Sequence, residues 1–391
     1  MDLDLTAEET AFRAEARAWL AAHVPRVPLR SMETAEGFAE HRAWERTLFA
    51  DRWSAVSWPV AYGGRGRSLL EWLVFEEEYY AAGAPARVAQ NGIGLLAPTL
   101  FAHGTEEQRA RLLPAMASGE TVWAQAWSEP EAGSDLASLR SVAVPTGGGW
   151  LLRGQKTWSS RAAFADRAFG LFRSHADPAR PPHNGLTYAM FPLDAHGVTV
   201  RPIGRLDGRP AFAELFLDDV FVPDADVVGE PGEGWRVAMS TAGDERGLTL
   251  RSPGRYLAAA RRLVALWRER ADPADTALRD RVADVAVRAR AYQLYTYAGA
   301  ARLAAGAPTG AESSLNKIFW SELDLALHET ALDLLGPYGE LADTAEDAPA
   351  GGRWSDGYVF ALAGPLYAGT NEIQRDVVAE RLLGLPKGRR A

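Results

Sequence analysis

Two stretches hold the residue types that could do chemistry. Residues 125–136 read QAWSEPEAGSDL, and residues 156–160 read KTWSS. Each sets hydroxyls and small residues beside a flat aromatic, in a region of strand-like runs. That mixture suits a surface on which a planar heteroaromatic ring lies, with indole faces for stacking and hydroxyls and peptide N–H groups for hydrogen bonds. Taken alone, Gly-Ser-Asp after Glu-Pro is equally an ordinary turn composition. Each tryptophan is equally a core residue.

Other chemistries lack their residues. The seven histidines show no metal-ligand spacing and no H-E-x-x-H occurs, so no metal is expected. No G-x-S-x-G is present to anchor a serine hydrolase. Gly229, Gly232 and Gly234 lack the G-x-G-x-x-G order of a dinucleotide fold. Without cysteine there are no disulfides, no thiolate nucleophile and no cysteine-held metal. A net charge of −9 argues against a nucleic-acid partner, which needs a concentrated basic face. The N-terminal MDLDLTAEETAFRAEA has no apolar signal region, and no apolar run reaches membrane-spanning length, so a cytoplasmic protein without a membrane partner is expected. Only Lys156, Lys317 and Lys387 are lysines among 42 basic residues, which marks a bias toward arginine.

Positioning these stretches falls to a chain of 391 residues, enough for two or three structural units with a shared core. The apolar share of 47% beside 24% charged residues is that of a globular protein. Residues 1–120 read as a helical domain. Thr6 and Glu9 form a capping box ahead of Phe12, Ala16, Trp19 and Leu20 on one helical face. The break WPVAYGG at 58–64 precedes a helix starting near Ser68, and Thr105 with Gln108 caps another that should end at Pro114. Residues 121–230 change to short strands: 151–156 come after a Gly147-Gly148-Gly149 turn, and Ala213, Leu215 and Leu217 alternate with Glu214 and Phe216. A small antiparallel barrel or sandwich fits that run. Residues 231–391 return to helical periodicity over 236–270, 275–305, 310–336 and 357–383, a four-helix antiparallel bundle with one long surface link at 342–357. The fold class is α+β and multidomain.

The two stretches together resemble the signature of acyl-CoA dehydrogenases, a T/S-E-P-x-A-G-S-D segment followed by G-x-K-x-W-x-T/S. WPVAYGG at 58–64, FLDDVFVP at 216–223 and YAGTNEIQR at 367–375 are similar to further motifs of that family, in the same order. The resemblance implies FAD lying between the β domain and the C-terminal bundle. Gln125, Trp127 and Ser128 would line the flavin, and Gly133 and Ser134 would offer an N–H and a hydroxyl to the pyrophosphate or to the pantetheine arm. Trp158, Ser159 and Ser160 would cover the other ring edge. Thr370 and Glu372 match positions that contact FAD from a neighbouring subunit, and Arg246 matches one near the pantetheine. The substrate carbonyl would be polarised by a flavin ribose hydroxyl and by the backbone N–H of Ala368.

Three departures stand out. Where many members read Y-E-G-T, Ala368 replaces the glutamate, and a methyl group takes no proton. Another branch draws its base from a Glu-Arg pair on the first long C-terminal helix, here Glu245 and Arg246, so Glu245 is the expected base. The R-x-x-F-G that serves a neighbour's FAD is missing after Arg268-Glu-Arg270, and Asp333 stands where a Gln is usual. This pattern, with the ending AERLLGLP, resembles the branch that includes steroid side-chain dehydrogenases, some of them heterotetramers.

The resemblance thus implies FAD-dependent α,β-dehydrogenation of an acyl thioester on CoA or a carrier protein, in a homo-oligomer or a heterotetramer with a related subunit, handing electrons to an acceptor flavoprotein. The alternatives are a non-catalytic partner subunit and a flavin-dependent monooxygenase on the same scaffold.

Overall fold

The computed structural model describes residues 5–175, 179, 181–246, 252–307 and 310–387, with the backbone alone at 244–246. The chain divides into two compact units. One gathers Met1–Val24, Ser68–Ala84 and Arg246–Ala391, the other Pro25–Arg67 and Pro85–Glu245.

In the first unit α1 (Ala7–His23) starts as expected, with Glu9 N donating to the Thr6 hydroxyl at 3.2 Å and Thr6 N to the Glu9 carboxylate at 2.8 Å. Phe12, Ala16 and Leu20 are buried, while Trp19 stays partly exposed and stacks on His23. Arg13 and Arg17 pair with Glu77 and Glu78 of α3 (Leu69–Ala81), at 3.0 and 2.8 Å. α3 carries a second capping box, Ser68 with Glu71. The bundle adds α7 (Pro253–Arg270), α8 (Thr276–Ala304) and α9 (Glu312–Leu335). Gly254 lets α7 approach α3 closely, because a Cβ there would lie 2.7 Å from the Glu76 carbonyl. Tyr256, Leu263, Val285, Tyr292, Trp320 and Leu327 pack between the helices. Each such side chain contributes about 1.5–3 kcal/mol by leaving water.

The fourth expected helix differs. In place of one element over 357–383 the chain forms α10 (Arg353–Ala361) and α11 (Asn371–Val377), the latter running into a π turn at Val378–Leu382. Pro365 lacks an N–H, and Ala368 and Gly369 adopt φ of +57° and +78°, which no right-handed helix accommodates. Likewise the expected span 236–270 comprises α6 (Gly234–Arg246) and α7, with 247–251 outside the described residues. No described helix is long and apolar enough to cross a membrane.

The second unit contains α2 (Ala35–Ala50), α4 (Ala97–His103), α5 (Glu106–Ala117), the sheet and α6. The Thr105 and Gln108 box is present, but α5 continues past Pro114 to Ala117. A proline one turn from a helix end removes a single hydrogen bond, so the last turn survives it. The sheet has eight strands in the order β6-β7-β3-β2-β4-β5-β8, with β1 beside β4. Their ranges are β1 Trp123–Ala126, β2 Val142–Thr146, β3 Gly149–Ser160, β4 Arg167–Arg173, β5 Leu186–Pro192, β6 Val198–Ile203, β7 Phe212–Pro223 and β8 Val227–Val228. Most neighbours are antiparallel, whereas β1 and β2 meet β4 in parallel. Ala213, Leu215 and Leu217 point inward from β7 as their alternation requires, joining Leu152, Phe172 and Phe191 in the core.

Candidate active site

In the second unit the two motif stretches are neighbours. β1 delivers Gln125 opposite Phe169 of β4 and then leaves the sheet at Trp127. A tight turn comes next, closed by two backbone bonds, Glu129 N to Ala132 O at 2.9 Å and Ala132 N to Glu129 O at 3.1 Å. β3 runs alongside, with Thr157 N donating to Ser128 O at 2.8 Å.

A buried ion pair locks them. The Lys156 ammonium, fully enclosed, donates to Glu129 Oε1 at 2.7 Å, to Leu171 O at 2.7 Å and to Trp127 O at 3.4 Å. Glu129 also accepts the backbone N–H groups of Arg140 and Ser141, at 2.6 and 3.0 Å. Burial pushes the Lys156 pKa down to about 8 against the pull of Glu129. Burial opposes ionisation of Glu129 too, but Lys156, Ser141 and Arg140 outweigh it and hold the carboxyl below its usual range. Both groups are charged at neutral pH. Sequence reasoning placed both stretches in the site but gave neither residue a role. The available signal was a lysine, one of three in the chain, at an inward position of a strand.

The pair anchors β3 just ahead of an irregularity. Between Lys156 and Ser159 the pairing of β3 with β7 shifts register, so two residues of β3 face one of β7. Trp158 occupies that bulge with φ +59°, 59% exposed and edge-on to Phe212 at 5.8 Å. A bulky residue in the left-handed region costs about 1–3 kcal/mol and persists only where its surroundings impose it. Beside it Ser159 is fully buried with no hydrogen-bond partner for its hydroxyl, and the buried Trp127 Nε1 is likewise unpartnered. Ser128 and Ser160 are half-buried, while Gly133 and Ser134 sit exposed beyond the turn, with open space where a Cβ of residue 133 would stand. Two orphaned donors beside a strained, exposed indole fit a flat polar ring system.

In the first unit, Thr370 caps α11 by accepting Ile373 N at 3.3 Å. Glu372, in the first turn, is exposed, and its carboxyl is held below the usual range by a backbone N–H and the Thr370 hydroxyl. Ala368 heads the turn before this cap. Glu245 and Arg246 are the last two residues of α6, and their side chains lie outside the described residues. Asp333 pairs with Arg281 at 2.5 Å on the bundle surface.

Three family models, described as the N-terminal, middle and C-terminal domains of acyl-CoA dehydrogenase, match residues 6–120, 124–220 and 232–383. The chain belongs to the acyl-CoA dehydrogenase family. It is 40% identical to acyl-CoA dehydrogenase IpdE1 of Mycobacterium tuberculosis (strain ATCC 25618 / H37Rv), covering 96% of this chain and 97% of that one. Among solved structures it is similar to the Tcur3481-Tcur3483 steroid ACAD, at 30% identity and TM-score 0.87 over 99% of this chain and 100% of that. The ChsE4-ChsE5 complex from Mycobacterium tuberculosis matches at 29% identity and TM-score 0.87 over the full length of both chains. The protein is thus an oxidoreductase that dehydrogenates an acyl thioester with a flavin as cofactor.

Proposed function

We propose that the chain dehydrogenates a steroid side-chain acyl-CoA, with FAD as its flavin and Glu245 as its base. The observation that carries the cofactor assignment is the left-handed, exposed Trp158 beside the buried, unpartnered Trp127 Nε1 and Ser159 hydroxyl. A bound FAD supplies a two-electron acceptor for the β-hydrogen. In this reading Gln125, Trp127, Ser128, Ser159 and Ser160 hydrogen-bond or line the ring, Trp158 covers it, and Gly133 and Ser134 serve the diphosphate or the pantetheine. Thr370 and Glu372 act toward a neighbouring subunit's cofactor. Arg246 faces the pantetheine, the Ala368 N–H polarises the thioester carbonyl, and Glu245 takes the α-proton as enolate charge grows on the substrate. The steroid class is supported by the likeness to the steroid ACAD.

A hetero-oligomer of related subunits in the cytoplasm, passing electrons to an acceptor flavoprotein, completes the proposal. The Asp333–Arg281 pair favours it over a homo-oligomer. With its carboxylate engaged by Arg281, Asp333 offers no amide at the place where the family's Gln would face the neighbour's cofactor.

Anaerobic addition of a steroid side-chain acyl-CoA to the purified protein tests this reading. Bleaching of the flavin band is expected, and Glu245→Gln should keep the flavin while slowing bleaching by at least about a hundredfold. Parental rates in that variant would eliminate Glu245. Bleaching that requires a co-purified related chain would establish the heteromer.

A further inference from the structure

The turn at 367–370 is held from behind by a side chain with no assigned role. Gln374, fully buried on α11, donates its Nε2 to the carbonyls of both Ala368 and Gly369, each at 3.2 Å. Its Oε1 has no hydrogen-bond partner, so the amide is oriented by those two carbonyls. The far side of the turn is fastened as well. Asn371 N donates to Pro365 O at 2.8 Å, and Asn371 Oδ1 accepts the buried Lys317 ammonium at 2.8 Å and the Ser321 hydroxyl at 3.1 Å.

Peptide geometry translates this clamp into the direction of the N–H groups. In a planar trans peptide the N–H points opposite to the C=O, so drawing these two carbonyls toward Gln374 turns the N–H groups of Gly369 and Thr370 the other way. Ala368, an alanine at φ +57°, carries a strain that glycine would avoid. Its φ and ψ set the plane of its own N–H against the clamped plane beside it. Among the described residues, the N–H groups of Ala368, Gly369 and Thr370 meet no protein acceptor.

We propose that Gln374 is the positioning residue for thioester polarisation, clamping the 368–369 carbonyls so that Ala368 stays left-handed with its N–H aimed at the substrate carbonyl. This rests on the function proposed above. The clamp has to donate, because both carbonyls only accept, and the Gln374 amide N–H groups do so.

The test compares the parent with Gln374→Met, Ala368→Gly and the double variant, measuring kcat, KM and the thermal midpoint. Gln374→Met should lower kcat by about tenfold or more with KM changed less than about threefold, since the lost alignment matters most in the transition state. Adding Ala368→Gly to Gln374→Met should return at least about threefold in kcat, because glycine holds the left-handed conformation without a clamp. A merely structural glutamine would show no such rescue. Independently of turnover, Ala368→Gly should raise the midpoint more in the parent than beside Gln374→Met, where the strain has already relaxed. Parental kcat in Gln374→Met, absence of rescue, or equal midpoint shifts in the two backgrounds would overturn the proposal. A parent that turns over no acyl thioester would instead sink the proposed function, and the midpoint comparison would still judge the clamp.

Discussion

Trp158 in one unit and Ala368 in the other hold nearly the same backbone conformation, φ +59° and +57°, and each sits next to a buried polar cluster. The clusters differ in kind. Behind Trp158 stands a full ion pair, Lys156 with Glu129, while the carbonyls of Ala368 and Gly369 are held by an uncharged amide. The first must join two segments 27 residues apart and leave a rigid bulge; strong, directional, mutually neutralising charges do that. The second fixes two carbonyls that only accept, so an amide N–H suffices; in the function proposed above, this turn faces the thioester carbonyl.

The comparison is broken most severely at Lys156. Lys156→Met strands the Glu129 carboxylate in the core and should cost about 3–5 kcal/mol, read by denaturant unfolding. Adding Glu129→Gln should recover part of that loss, because the amide oxygen still accepts a backbone N–H without a buried charge. Full additivity of the two losses would argue that the groups do not act as a pair.

A smaller effect is expected from pH. Lys156 binds its proton less tightly in the fold, about 8, than in the open chain at 10.5, so between these values the unfolded state holds more protons. The stability attributable to this group therefore rises with pH from about 8 to 10.5, and the cost of burying the ammonium is present in full below that window. Glu129 acts at the other end. Its folded pKa lies below the ordinary 4.5, so its contribution is present above 4.5 and is lost as the medium is acidified through the folded value. Unfolding of the parent and of Lys156→Met at a series of pH values should show the alkaline rise only in the parent.

The mildest probe is Trp158→Gly. It should stabilise the apoprotein by about 1 kcal/mol by relieving the left-handed strain, and weaken flavin retention by a similar amount through lost stacking. Opposite signs for the two readouts would mark the strain as serving the site. A change of the same sign in both would assign Trp158 to packing alone.

Some features were legible in the sequence because their causes are local. The capping boxes at Thr6 and Thr105 need only a hydroxyl and a Glu or Gln three residues on, and the alternation of β7 needs only the pleat. The paired segments at 125–136 and 156–160 could be read as parts of one site, since their residue types and order suffice for the resemblance. Tertiary structure alone decided what depends on partners distant in sequence. It set Lys156 against Glu129, made a bulge of Trp158, and split the last helical span around a turn clamped by Gln374 and Asn371. Left-handed alanine or tryptophan is locally unfavourable, so no local pattern predicts it; only hydrogen bonds delivered from elsewhere in the fold make it the lower-energy choice.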